Sequence, residues 1–208
     1  MGDQLLMWCV ENGSIEQAHL LLLRKQASPN KANVNGTTPL HVAARNGHLT
    51  MTNLLLKNKA TCDVHEHMQI GGNSPLHLAT ENDHLDVITA LLDAGADPSS
   101  QNSLGHTPLH VAAMEGLLQG AKLLMVRGAD PNLRDFGGKN PAAWAQELRQ
   151  LPVLHYFEAQ GIQPRKISQQ ESWDHTKAVC ARLNMKEPKP KLKKKKAAEG
   201  KAKGGKKK

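Results

Sequence analysis

The chain has 208 residues and a formal net charge of +8, but twelve lysines and two glutamates from residue 186 onward contribute +10, leaving 8 − 10 = −2 for residues 1–185. No run of 18 apolar residues occurs, and no basic segment precedes an apolar one near the start, so neither a membrane-spanning helix nor a secretory leader is expected. Cys9, Cys62 and Cys180 are widely spaced and fit no disulfide framework, which points to a reducing compartment, cytoplasmic or nuclear.

Residues 3–30 predict two helices, near 4–12 and 15–26. Beyond them Thr38-Pro39-Leu40-His41 opens a pattern. It recurs at Ser74-Pro75-Leu76-His77 and Thr107-Pro108-Leu109-His110, and in worn form at Asn140-Pro141-Ala142-Ala143. The four prolines are separated by 36, 33 and 33 residues. Each copy reads as a helix start. Thr38, Ser74, Thr107 and Asn140 offer a side-chain oxygen to an orphan backbone N–H. The proline after each takes the first helical position, where a missing N–H costs nothing. Ala43-Ala44 and Ala112-Ala113 let a second helix approach closely, and Gly47 and Gly116 end the first helix. Second helices follow in the runs Leu54-Leu55-Leu56, Val87-Ile88 with Leu91-Leu92, and Leu123-Leu124 with Val126. Three residues are inserted between Thr61 and Ser74, because Ala60 to Pro75 spans 15 residues where the matching spans are 12.

A tetrapeptide of this kind at a period near 33 resembles the ankyrin-repeat family. The resemblance covers residues 1–164. It implies an all-α solenoid of about five helix-turn-helix units joined by β-hairpin-like loops, with degenerate terminal units. Residues 165–185 follow as a separate island, in which Ser168 and Glu171 form a capping box and Ile167, Trp173, Cys180 and Leu183 can line a short helix. That helix docks on the last repeat or binds a partner. Residues 186–208 form a Lys-rich tail with one leucine and no aromatic residue, too polar to fold alone.

No residue set supports an enzyme. There is no phosphate-cradling glycine loop, no Gly-x-Ser-x-Gly and no paired-cysteine motif, and no cofactor is implied. His65, Glu66 and His67 with Cys62 and Asp63 bring metal-ligand atoms together, but their spacing does not fit the usual zinc patterns, so no metal is expected. The recurring His41, His77 and His110 follow from the repeat; in the family this histidine typically bonds neighbouring backbone.

The resemblance implies a protein partner, met at the hairpin tips and the inner helix face. Carried over copy by copy, that surface comprises Val34, Asn35, Arg45, Asn46, Ile70, Asn73, Glu81, Asn82, Leu104, His106, Met114, Glu115, Phe136 and Lys139. Val34, Ile70, Leu104 and Phe136 form an apolar row along the tips, either an exposed docking row or the packing of each tip against the next. Asn132, with Leu124 eight residues before it and Asp130 two before, is similar to the asparagines hydroxylated in ankyrin hairpins. In the tail, Lys193, Lys194, Lys195 and Lys196 read as a nuclear import signal, as an electrostatic tether to nucleic acid, anionic lipid or an acidic polymer such as the microtubule surface, or as a solubilising run. Lysine without arginine or aromatic residues argues against base reading.

Overall fold

The computed structural model describes residues 2–66 and 71–165. The segment at 165–185 and the tail at 186–208 therefore lie beyond Arg165 outside the described residues, as do Ile70 and His67. Among the described residues there are ten α-helices and no strand. They form five antiparallel pairs. The inner helices are α1 (Gly2–Glu11), α3 (Pro39–Arg45), α5 (Pro75–Glu81), α7 (Pro108–Glu115) and α9 (Pro141–Glu147); the outer helices are α2 (Ile15–Leu23), α4 (Leu49–Lys57), α6 (Leu85–Asp93), α8 (Leu118–Val126) and α10 (Leu151–Ala159). Each inner helix touches the next inner helix, each outer helix the next outer one, and partners touch within a pair.

Helices of 7 to 10 residues are too short to persist alone in water. Their stability comes from two apolar columns. Leu6, Leu40, Leu76 and Leu109 run down the inner layer, and Leu21, Leu55, Leu91, Leu124 and Phe157 down the outer one, all buried. The last unit places Ala142 in the first column and Phe157 in the second. The alanines Ala43, Ala44, Ala112 and Ala113 are fully buried, which is where a short side chain permits close packing of the inner helices.

The proline-led starts form as the sequence predicts. Thr38, Ser74, Thr107 and Asn140 all hold extended backbone, with proline as the first helical residue. The turn inside each pair passes through one left-handed residue: Gly13, Gly47, Asp83, Gly116 and Arg149. Glycine sits there for a second reason besides φ. The next unit sends a side chain back over it: His48 donates to the Val10 carbonyl at 3.1 Å, His84 to Arg45 at 3.1 Å, and Gln150 to Met114 at 2.9 Å. A Cβ added to Gly47 would lie 2.6 Å from the His84 ring. Where the next unit offers Leu117 instead of such a donor, the turn residue is Asp83; the last turn residue is Arg149.

The first, third and fourth hairpins share a closing backbone bond: Asn33 N to Thr37 O, Asn102 N to His106 O, and Asp135 N to Lys139 O. The corresponding bond in the second hairpin runs from Glu66 N to Asn73 O, three residues wider. The insertion expected between Thr61 and Ser74 therefore lies inside that tip.

Leu76 is 1% exposed in the central unit. Leu76→Ala is expected to cost about 2–5 kcal/mol, read by denaturant unfolding of the full chain. A loss below about 0.5 kcal/mol would contradict its place in the column.

Candidate partner-binding surface

The hairpin tips are positioned by a row of buried histidines. His41 Nδ1 accepts the Thr38 N–H at 3.1 Å and lies 2.8 Å from Thr38 Oγ1, while Nε2 donates to the Asn73 carbonyl of the next hairpin at 3.1 Å. His77 joins Ser74 to the His106 carbonyl at 2.8 Å in the same way, and His110 joins Thr107 to the Lys139 carbonyl at 3.1 Å. Each imidazole thus caps its own helix and holds the following tip. Both ring nitrogens are used in the neutral form, and burial pushes all three rings well below the ordinary 6.5: His41 to about 4, His77 to about 3 and His110 to about 4. In the last unit Ala143 stands where the histidine would be. There Asn140 does both tasks, accepting the Ala143 N–H at 3.0 Å through Oδ1 and donating through Nδ2 to the Gln163 carbonyl at 2.9 Å.

Within a tip, an Asx side chain fixes the turn. Asn33 Oδ1 accepts from the Asn35 and Thr37 amides, and Asn102 Oδ1 from those of Leu104 and His106. Asp135 Oδ1 accepts the Lys139 N–H at 2.8 Å. These turns carry Val34 outward at 89% exposure and Leu104 at 58%. Phe136 departs from the row. It is half-buried, its ring lies over Gly105, where an added Cβ would come within 2.5 Å of it, and its N–H donates to the Leu104 carbonyl at 3.1 Å. Of the apolar row, two members are exposed, Phe136 packs against the preceding tip, and Ile70 lies outside the described residues.

His106 corrects the expectation of an exposed tip contact. It is buried between the His110 ring, 5.9 Å away, and the Trp144 ring, 5.6 Å away, with Nε2 3.5 Å from Asp135 Oδ2. Burial alone would raise the Asp135 carboxyl, but hydrogen bonds from His106, the Lys139 amide and Trp144 Nε1 hold it below its ordinary value. Asn73 and Lys139 are also half-buried and engaged. Asn73 Oδ1 accepts from Asn102 Nδ2 at 2.9 Å; Lys139 Nζ sits 3.9 Å from the Trp144 ring centroid and 2.8 Å from Glu147 Oε2.

Along the inner face, Arg45, Asn46, Glu81, Asn82 and Glu115 are exposed and Met114 is half-buried. Arg45 pairs at 3.1 Å with buried Glu66, which also accepts the Thr37 hydroxyl at 3.0 Å. His65 bonds the Gly72 carbonyl at 2.8 Å. The ligand atoms noted at 65 and 66 are thus turned to separate structural tasks. Asn132 is exposed beside Pro131, its N–H donated to Asp130 Oδ1 at 2.9 Å. With Asn35 also exposed, the surface the structure offers is Val34, Asn35 and Leu104 at the tips, with Arg45, Asn46, Glu81, Asn82 and Glu115 beneath.

The sequence reading missed a groove of about 660 Å³ between α1 and the first hairpin, lined among others by Asp3, Met7, Trp8, Glu11, Lys31 and Val34. Trp8 is 52% exposed there. Aligning the units on Gly13, Gly47, Asp83, Gly116 and Arg149 would have placed Trp8 in register with Trp144.

A protein-family model for ankyrin repeats, three copies, matches residues 6–102, 71–135 and 91–166. No curated protein matches the chain.

A histidine neutral in the fold but free to protonate when unfolded binds fewer protons folded than unfolded. The stability that His41, His77 and His110 support is complete above their ordinary 6.5 and is lost as pH falls toward about 4 for His41 and His110 and toward about 3 for His77. The slope in that window is expected to approach about 1.4 kcal/mol per pH unit per histidine. Asp135 falls outside it, since its contribution is lost only below its ordinary 3.8. Urea melts from pH 7 to 4.5 check this; a flat profile would show that the rings are not held neutral.

Proposed function

The chain belongs to the ankyrin-repeat family, whose repeats are protein–protein interaction modules, and from that premise we propose that it is a non-enzymatic adaptor with one solenoid binding surface and a basic tail that localises or tethers it. The observation that carries this is the pair of exposed apolar tips, Val34 and Leu104, standing above a polar inner face. An apolar group ringed by polar ones, held on turns fixed by their own Asx bonds, is pre-organised for a protein partner. Its identity is open to experiment. The tail adds a polycation of net +10, suited to a nuclear import receptor or an acidic surface. A cytoplasmic or nuclear location belongs to the same proposal, on cysteines that fit no disulfide framework. Hydroxylation of Asn132 belongs to the same proposal through the family resemblance and its exposure; unmodified Asn132 by mass spectrometry in cells with active hydroxylase would remove it.

A second reading makes the tail lead, binding nucleic acid or an acidic polymer such as the microtubule surface. Salt separates the two, because counterion release makes polyanion binding fall steeply with ionic strength while an apolar contact is little affected. Affinity capture with the full chain is expected to retain a protein at about 0.3 M salt and to lose it with the double variant Val34→Ser, Leu104→Ser, whose stability stays within about 0.5 kcal/mol of the parent. Capture that ignores this variant, or that disappears with salt, would contradict the adaptor reading. Changing Lys193, Lys194, Lys195 and Lys196 to alanine is expected to abolish nuclear enrichment of a fluorescent fusion or salt-sensitive polyanion binding. If neither changes, the tail has no role in location or tethering.

A further inference from the structure

Setting the first and last units in register on Gly13 and Arg149 superposes more than the fold. Trp8 falls on Trp144, and Glu11 falls on Glu147, each pair three residues apart on an inner helix. On α9 this pair holds a cation. The Lys139 ammonium lies 3.9 Å from the Trp144 ring centroid and 2.8 Å from Glu147 Oε2, so a π face and a carboxylate share one lysine. That lysine comes from the hairpin preceding α9, and the same hairpin supplies Asp135 to the indole N–H. Beside Trp8 and Glu11 lies the groove, with Trp8 half-exposed and Glu11 exposed.

We propose that Trp8 and Glu11 form a receiving site for a lysine side chain, and that its occupant is the Lys-rich tail of the same chain. The tail fits in three respects. First, the groove is lined by the apolar side chains of Met7, Trp8 and Val34 and by the carboxylates of Asp3 and Glu11, with Lys31 as its opposing charge. The tail's one leucine, Leu192, is flanked by Lys191 and Lys193. Leu192 seats against the apolar lining while a neighbouring lysine reaches the Trp8 ring. Second, the tail is long enough. With Ile167 to Leu183 helical, as the sequence predicts, at ~1.5 Å per residue and the other ten at ~3.3 Å, the 27 residues between Arg165 and Lys193 reach about 60 Å. Four steps of inner-helix packing, from α9 to α1, cover about 40 Å at ~10 Å per step. Third, the middle of the path attracts it. Residues 60–121 contain eight aspartates and glutamates and no lysine or arginine, whereas residues 17–59, nearer the groove, carry six lysines and arginines and no acidic residue, so the attraction acts along the middle units. Docked in this way, the tail is withheld from any other acidic surface. The inference rests on the reading of the tail as a functional polycation and not on the identity of the solenoid's partner.

The test uses the full chain labelled with 15N, in which three tryptophans give three indole signals and Trp8→Phe identifies one. Replacing Lys191 and Lys193 to Lys196 with alanine is expected to move the Trp8 indole signal and leave that of Trp144 in place. Glu11→Gln is expected to move it in the same direction. A peptide of residues 188–196, titrated into the tail-substituted full chain, is expected to restore the shift. Its affinity is expected to fall about three- to thirtyfold with Trp8→Ala, with a loss also for Glu11→Gln, a surface change that leaves the fold intact. A Trp8 signal identical with and without the lysines, or peptide binding indifferent to Glu11→Gln, overturns the proposal. A shift that vanishes on dilution assigns the tail of a second copy and overturns the intramolecular form. Val34 lines this groove as well, so partner capture is read here on Leu104→Ser alone, which lies outside the groove, and its failure and this one are distinguishable.

Discussion

A buried, uncharged imidazole ties each of the three middle units to the next. Apolar burial is non-directional and would let short helices slide or rotate against one another. The histidine bond is directional. His41, His77 and His110 each bind the N-cap of their own helix with one nitrogen and a carbonyl of the following hairpin with the other. The spacing of the tips, and with it the candidate partner surface, follows from that contact together with tip-to-tip bonds such as Phe136 N–H to the Leu104 carbonyl and Asn102 Nδ2 to Asn73 Oδ1. Burial enforces the charge state on which it depends, because a protonated ring would carry an uncompensated charge into the core and lose its acceptor.

The ends of the solenoid show what happens where the ladder stops. In the first unit Met7 occupies the histidine register and packs partly buried against the core. In the last unit the bond persists with other atoms, as the Asn140 amide takes over both tasks and also receives the Arg165 N–H at 3.0 Å. The chain is thereby held to α9 at Arg165, ahead of the Lys-rich tail that begins at residue 186. The two ends also share the Trp–Glu pair, filled by Lys139 on α9 and open on α1.

The fold was legible because its signals are local. Thr-Pro-Leu-His specifies a cap, a first helical residue, a core leucine and a tie within four residues, and its recurrence fixes the register. The surface was less legible because its exposure depends on residues about thirty positions away. Phe136 is half-buried because Gly105, in the preceding tip, has no side chain to keep the ring off. His106 is buried because Trp144 and Asp135 of the next unit close over it. Neither neighbour is implied by the tip's own sequence. Trp8 escaped notice for the opposite reason: its unit lacks the tetrapeptide, and only the left-handed Gly13 puts it in register with Trp144.

A rigid ladder under a few exposed tips suits the protein–protein interaction that ankyrin repeats generally serve. The account stands or falls on the histidine tautomer. Long-range 1H–15N spectra of the imidazole rings in the folded full chain at pH 6 report it directly. The account predicts that His41, His77 and His110 are neutral, with the proton on Nε2 and Nδ1 bare. Imidazolium signals at that pH, or protons on Nδ1, would contradict it.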